Sequence, residues 1–119
     1  MLHWYRVKLE LAPNDQFPKG SPGRAYLLRL PLTPAGRIDQ AKLAASPEAA
    51  MVRRFWPNEP DRSGVIRRNS AGVELIFPEC GIDHPAHLED APVVSGGTLQ
   101  MTDPDGSRMA FRVVSIRSD

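Results

Sequence analysis

Two arginine pairs, Arg53-Arg54 and Arg67-Arg68, stand on either side of a Phe55-Trp56-Pro57 turn, and an apolar run from Val73 to Phe77 follows them. Guanidinium groups beside aromatic rings suit three tasks: anchoring a protein interface, stacking and neutralising single-stranded nucleic acid, or holding a small anion. The same residues also serve plain ion pairing and solubility, and Glu59, Asp61 and Glu74 lie near enough in the chain to dilute the charge. Arg53, Arg54, Trp56 and Arg68 are therefore the residues singled out for binding an anion or a partner, with a protein partner favoured over nucleic acid.

A second group of residues has the chemistry of a metal site. Cys80, His84 and His87 share a segment with Glu79, Asp83, Glu89 and Asp90. Structural zinc usually takes four protein ligands with paired spacings such as C-x2-C, so Cys-x3-His-x2-His needs an acid or the remote His3 to complete it. The segment is read as an exposed polar loop, with Cys80, His84 and His87 as weak metal candidates and no cofactor implied. Cys80 beside His84 also has the composition of an activated thiolate, but no oxyanion hole or helix amino terminus is indicated beneath it. Asp103-Pro104-Asp105-Gly106 opens like a calcium loop yet lacks the closing glutamate, and reads as a hairpin turn. Lys19 to Arg24 has glycine, hydroxyl and positive charge without the order of a P-loop or a helix after it, and reads as a strand connection. No G-x-S-x-G elbow is present.

The elements that must position these residues are short. Twelve prolines among 119 residues cut the chain into pieces and exclude a long-helix architecture. With 41% apolar and 24% charged residues the chain has globular composition, and its length suits one domain, 1–119. A net charge of +1 produces no global field toward nucleic acid or an anionic membrane. The single cysteine forms no internal disulfide and fits a reducing compartment. The opening MLHWYRVKLEL alternates instead of forming an export signal, and no run approaches the roughly 20 apolar residues of a membrane span. The expected setting is the cytoplasm, with no membrane partner.

Period-two alternation predicts strands at Trp4 to Leu11, Arg24 to Leu30, Met51 to Trp56, Val65 to Arg68, Val73 to Phe77, Thr98 to Thr102 and Arg108 to Ile116. Asp39 is placed to cap a helical turn over Gln40 to Ala45, and Ser46-Pro47 marks a second start. Centring a turn on Ser70-Ala71 sets Arg67 opposite Glu74 and Ile66 opposite Leu75. Symmetric closure of the preceding loop sets Arg54 opposite Arg67 and Arg53 opposite Arg68, leaving that last couple on the core face with no assigned acid. The stretch from Pro78 to Gly97 reads as one long irregular loop. Together these elements predict a small antiparallel β-barrel of six or seven strands with one short helical segment.

The segments VKLELAPNDQFPKGS, PLTPAGRID, VRRFW and DPDGSRMAFRVVSI resemble a group of short uncharacterised bacterial proteins over most of the chain, a likeness that carries no activity and no catalytic residue. The chain departs from that pattern between Glu79 and Ala91, where the group is more acidic. More distantly, the first strand and GGTLQMTDPDGSRMAFRVVSI look like closing strands of the β-barrel domains of elongation factor Tu, which implies fold alone. The reading is a non-enzymatic binding or interaction module; the alternative is a nucleic-acid-binding barrel using an Arg/Trp face.

Overall fold

Val7, Leu9 and Leu11 alternate with Arg6, Lys8 and Glu10 along β1 (Trp4–Leu11), and all three apolar side chains turn inward, at most 3% exposed. The computed structural model describes residues 4–78 and 84–119. Alternation repeats in β2 (Ser21–Pro31), β3 (Met51–Phe55), β4 (Arg62–Asn69), β5 (Gly72–Ile76), β6 (Ala86–Glu89), β7 (Thr98–Thr102) and β8 (Arg108–Ser118). Each strand pairs antiparallel with its sequence neighbour, and β8 returns to pair with β1, giving a closed barrel of eight strands among the described residues. Among the described residues, closure gives every strand a hydrogen-bonded neighbour on each side.

The barrel class and the short helical segment agree with expectation; the strand number exceeds it. The extra strand is β6, inside the stretch read as irregular loop. Its four residues put Ala86 and Leu88 inward and His87 outward, a pattern too brief to stand out between Pro85 and Pro92.

An eight-stranded barrel either fills its interior with side chains or encloses one small ligand. Here side chains fill it: Tyr26, Leu28, Ile66, Leu75, Leu99, Met101 and Phe111 are each at most 2% exposed. One end is closed by the β2–β3 connection. Asp39 caps α1 (Gln40–Ala45) by accepting a hydrogen bond from the Lys42 amide at 3.1 Å, and the helix buries Leu43 against the barrel. A 3-10 turn follows at Pro47–Ala49, and Ser46 makes no side-chain cap to it. In an up-and-down meander the β1–β2, β3–β4 and β7–β8 connections gather at the opposite end.

The β4–β5 register is the expected one, with Arg67 opposite Glu74, Ile66 opposite Leu75 and Asn69 opposite Gly72. The β3–β4 register is not: Arg53 faces Ser63 and Arg54 faces Arg62. The predicted Arg53–Arg68 and Arg54–Arg67 oppositions are thereby corrected. The cause is that β4 begins at Arg62 instead of Val65, because the polar Arg62-Ser63-Gly64 reads as loop but pairs as strand. Gly64 is needed there, since a Cβ on it would lie 2.2 Å from the Ile76 carbonyl oxygen.

Candidate functional site

Inward alternation carries more than apolar groups to the loop-rimmed end of the barrel. Tyr26 on β2 is the cross-strand partner of Arg54 on β3, which is in turn the partner of Arg62 on β4. A phenol and two guanidinium groups therefore lie side by side. Tyr26 is 1% exposed, and its ring meets Phe111 edge-on at 5.1 Å and Trp56 at 6.0 Å between centroids.

Local turns bring in the remaining rings. Asn14 accepts from the backbone amides of Gln16 and Phe17 at 2.9 and 2.8 Å, an Asx turn that folds Phe17 back onto the core. Trp56 opens the turn Trp56-Pro57-Asn58-Glu59. The Glu59 amide donates to the Trp56 carbonyl at 3.3 Å, proline holds the second position, and Asn58 takes the third with φ of 62°, an arrangement of type II. Arg24, also inward on β2, sets its guanidinium 4.2 Å from the Phe17 ring centre and 5.9 Å from that of Trp56.

Arg54 is the centre of the arrangement. Its side chain is only 15% exposed, its guanidinium stacks 4.0 Å from the Trp56 ring centre, and its Nη1 donates to Glu59 Oε1 at 3.2 Å. Arg62 Nη2 lies 3.6 Å from the same Glu59 oxygen. Like charges directly opposed across a strand pair are destabilising, and this shared carboxylate offsets the repulsion between Arg54 and Arg62. Asp103, from the β7–β8 turn, completes the group. Burial raises its carboxyl above the usual aspartate range, although Arg54 acts in the opposite sense. Tyr26 is pushed up to about 12, first by burial and then by the Asp103 charge, so its hydroxyl stays protonated at neutral pH.

Two of the four residues singled out in the sequence, Arg54 and Trp56, come together here. Arg53 does not join them. It points to the outer wall, 45% exposed, with its guanidinium 5.2 Å from the Phe55 ring centre and 3.7 Å from Asp61, the acid that sequence reasoning did not assign. Arg68 lies at the helix-capped end, in a polar hollow of about 380 Å³ with Gln40, Asn69, Ser70 and Asp90, and has no ion-pair partner among the described residues. In the same hollow Gln40 Oε1 is buried without a hydrogen bond.

Cys80 lies outside the described residues. His84 is exposed, and His87 faces outward with Nδ1 3.3 Å from Asn69 Nδ2. Among the described residues no three His, Cys, Asp or Glu side chains converge as metal ligands. Asp103 to Gly106 forms the expected hairpin turn, with Gly106 at φ 89°.

Phe17, Arg24, Tyr26, Arg62 and Asp103 were missed as site residues. The available signals were the two-residue spacing of Arg24 and Tyr26 within one strand and the type II turn chemistry of Trp56-Pro57-Asn58. The chain matches no protein-family model, no curated protein and no solved structure. No helix among the described residues is long and apolar enough to cross a membrane.

Proposed function

We propose that this chain is a non-enzymatic binding module that engages a protein partner at the loop-rimmed end of the barrel, with Arg54 and Trp56 as its anchors. The observation that carries this reading is the stacked Arg54–Trp56 pair, whose ring packs on Tyr26 and Phe111 and whose cation is 15% exposed. Tryptophan and arginine held rigidly inside a polar rim are the composition of an interface hot spot. Little side-chain entropy is lost when such groups bind, because they are already ordered. The filled interior favours a partner that covers the barrel end over a ligand swallowed by it. A cytoplasmic setting fits the single cysteine.

The runner-up, single-stranded nucleic acid, is favoured by Arg24 and Arg54 against Trp56 and by Arg62 across the strand from Arg54. Glu59 and Asp103 stand among them and reduce the attraction for a polyanion. Selection of random displayed peptides on the folded protein tests the first reading. Selected peptides should lose binding with Trp56→Ala, and binders indifferent to that change would count against the proposed interface. A mobility shift with oligothymidylate that is flat even at low salt removes the nucleic-acid reading.

A further inference from the structure

Arg68 ends an inward-facing row of the barrel, yet among the described residues no acid meets it. Its direct partner on β5 is Val73, whose own partner on β6 is Leu88, and both of those side chains are buried. At the helix-capped end Arg68 leaves the core and lines a hollow of about 380 Å³ with Gln40, Asn69, Ser70 and Asp90. We propose that this hollow receives the charged head of a free α-amino acid, its carboxylate on Arg68 and its ammonium on Asp90 and Gln40. The site lies away from Arg54 and Trp56 and stands independently of the interface reading.

Three unmet groups share the hollow. Arg68 forms no ion pair among the described residues, although Asp90 lines the same space. Asp90 turns one oxygen to Arg37, whose Nη2 lies 3.2 Å from Oδ1, and its Oδ2 has no partner among the described residues. Gln40 Oε1 is buried and accepts no hydrogen bond. A simple anion answers Arg68 alone, and a simple cation answers only the other two. An ammonium and a carboxylate on one carbon answer all three.

The framework around these groups is already set. The Asp39 cap fixes Gln40 as the first residue of α1, which packs on β4. Gly72, at φ 144°, lets the β4–β5 turn lie against β6, where a Cβ would come 2.3 Å from the Leu88 carbonyl oxygen. Glu89 pairs with Gly72, so Asp90, one residue on, comes beside the turn. Asn69 braces that turn by accepting from the Ala71 amide at 2.9 Å, and Arg37 holds Asp90 a second time through its backbone carbonyl at 3.3 Å. Only Arg68 and the Gln40 amide are left to adjust, and a turn about the soft terminal torsion of glutamine brings the enclosed oxygen to the ammonium.

The same groups select the occupant. A buried acceptor without a donor destabilises the free protein, so the Gln40 oxygen is of use only when an occupant supplies that donor. A phosphodiester brings no donor and meets the Asp90 carboxylate. A peptide carries its ammonium and its carboxylate at opposite ends. A free amino acid carries both within the span of one hollow.

The test is an NMR titration of the full chain with each proteinogenic L-amino acid at millimolar concentration. At least one should move the Arg68 Nε–H, the Gln40 side-chain amide and the Ser70 amide. Its N-acetylated and its C-amidated forms should bind about tenfold weaker or more, the loss expected for one charge-assisted hydrogen bond. Arg68→Gln and Asp90→Asn should weaken binding of the free amino acid to the same degree, with the spectrum elsewhere unchanged. Gln40→Met should lose the amino acid while the free protein melts no lower than the parent, a split that a purely structural glutamine does not give. Silence of the three signals toward every amino acid would overturn the site. So would capped forms that bind as tightly as the free one, binding that survives Arg68→Gln, or a Gln40→Met protein that melts lower and still binds.

Discussion

Tyr26 and Arg54 are direct cross-strand partners on β2 and β3, and the guanidinium lies beside a phenol that burial holds in its protonated form. Arg54 opposes the upward shift of Tyr26, but the desolvation of the ring and the nearby Asp103 outweigh it.

Alkaline pH should therefore destabilise the barrel through Tyr26. Its folded value is raised from 10.0 to about 12, so the protonated phenol contributes stability that is fully present below pH 10 and is lost as pH rises toward the folded value. Above that value the loss approaches about 2–3 kcal/mol. Unfolding free energy measured across this range should fall in the parent chain and fall much less in Tyr26→Phe. Absorbance titration of a Tyr5→Phe protein isolates the group, and a phenolate appearing near pH 10 in the folded state would refute the assignment.

Gly64→Ala should destabilise strongly. The new Cβ would lie 2.2 Å from the Ile76 carbonyl oxygen and 3.1 Å from the Phe77 ring, so β4 has to separate from β5 to admit it. Overpacking of this kind costs about 1–3 kcal/mol. The urea midpoint reads the effect, and an unchanged midpoint would show that the two strands yield without loss.

Gln40→Met should be neutral or stabilising by up to about 1 kcal/mol, because Gln40 Oε1 is buried without a donor and an apolar end of similar size removes that cost. Thermal denaturation decides it. A clear fall in Tm would mean that the oxygen is satisfied in solution and that the hollow beside Arg68 holds its donor.

The strands were legible wherever alternation ran for five residues or more beside clear turn chemistry, as in β1 and in the hairpin around Asp103-Pro104-Asp105-Gly106. Register was legible across the two-residue turn at Ser70-Ala71, where loop length leaves little choice. It failed across Trp56 to Asp61. There Gly64 concealed three residues of strand, and the resulting slip changed the β4 partners of Arg53 and Arg54. The site was half legible for the same reason. Arg54 and Trp56 are neighbours along the chain, whereas Tyr26 and Asp103 reach them only through barrel closure, which no local pattern encodes.

That closure has a consequence for misfolding. Seven of the eight strand pairings join consecutive segments, so the chain is a continuous ribbon of hairpins; the eighth, β1 with β8, ties together residues as distant as Arg6 and Asp119, whose side chains meet at 3.1 Å. If this seam opens, strands of 8 and 11 residues each keep one neighbour and expose the other edge, and each exposed edge is the ready-made complement of the other in a neighbouring molecule. Pairing of β8 with the β1 of a neighbouring molecule would restore that ladder at each junction while leaving one unpaired strand edge at each end of the assembly. The topology thus carries its own route to head-to-tail polymerisation, with the β1–β8 pairing as its latch.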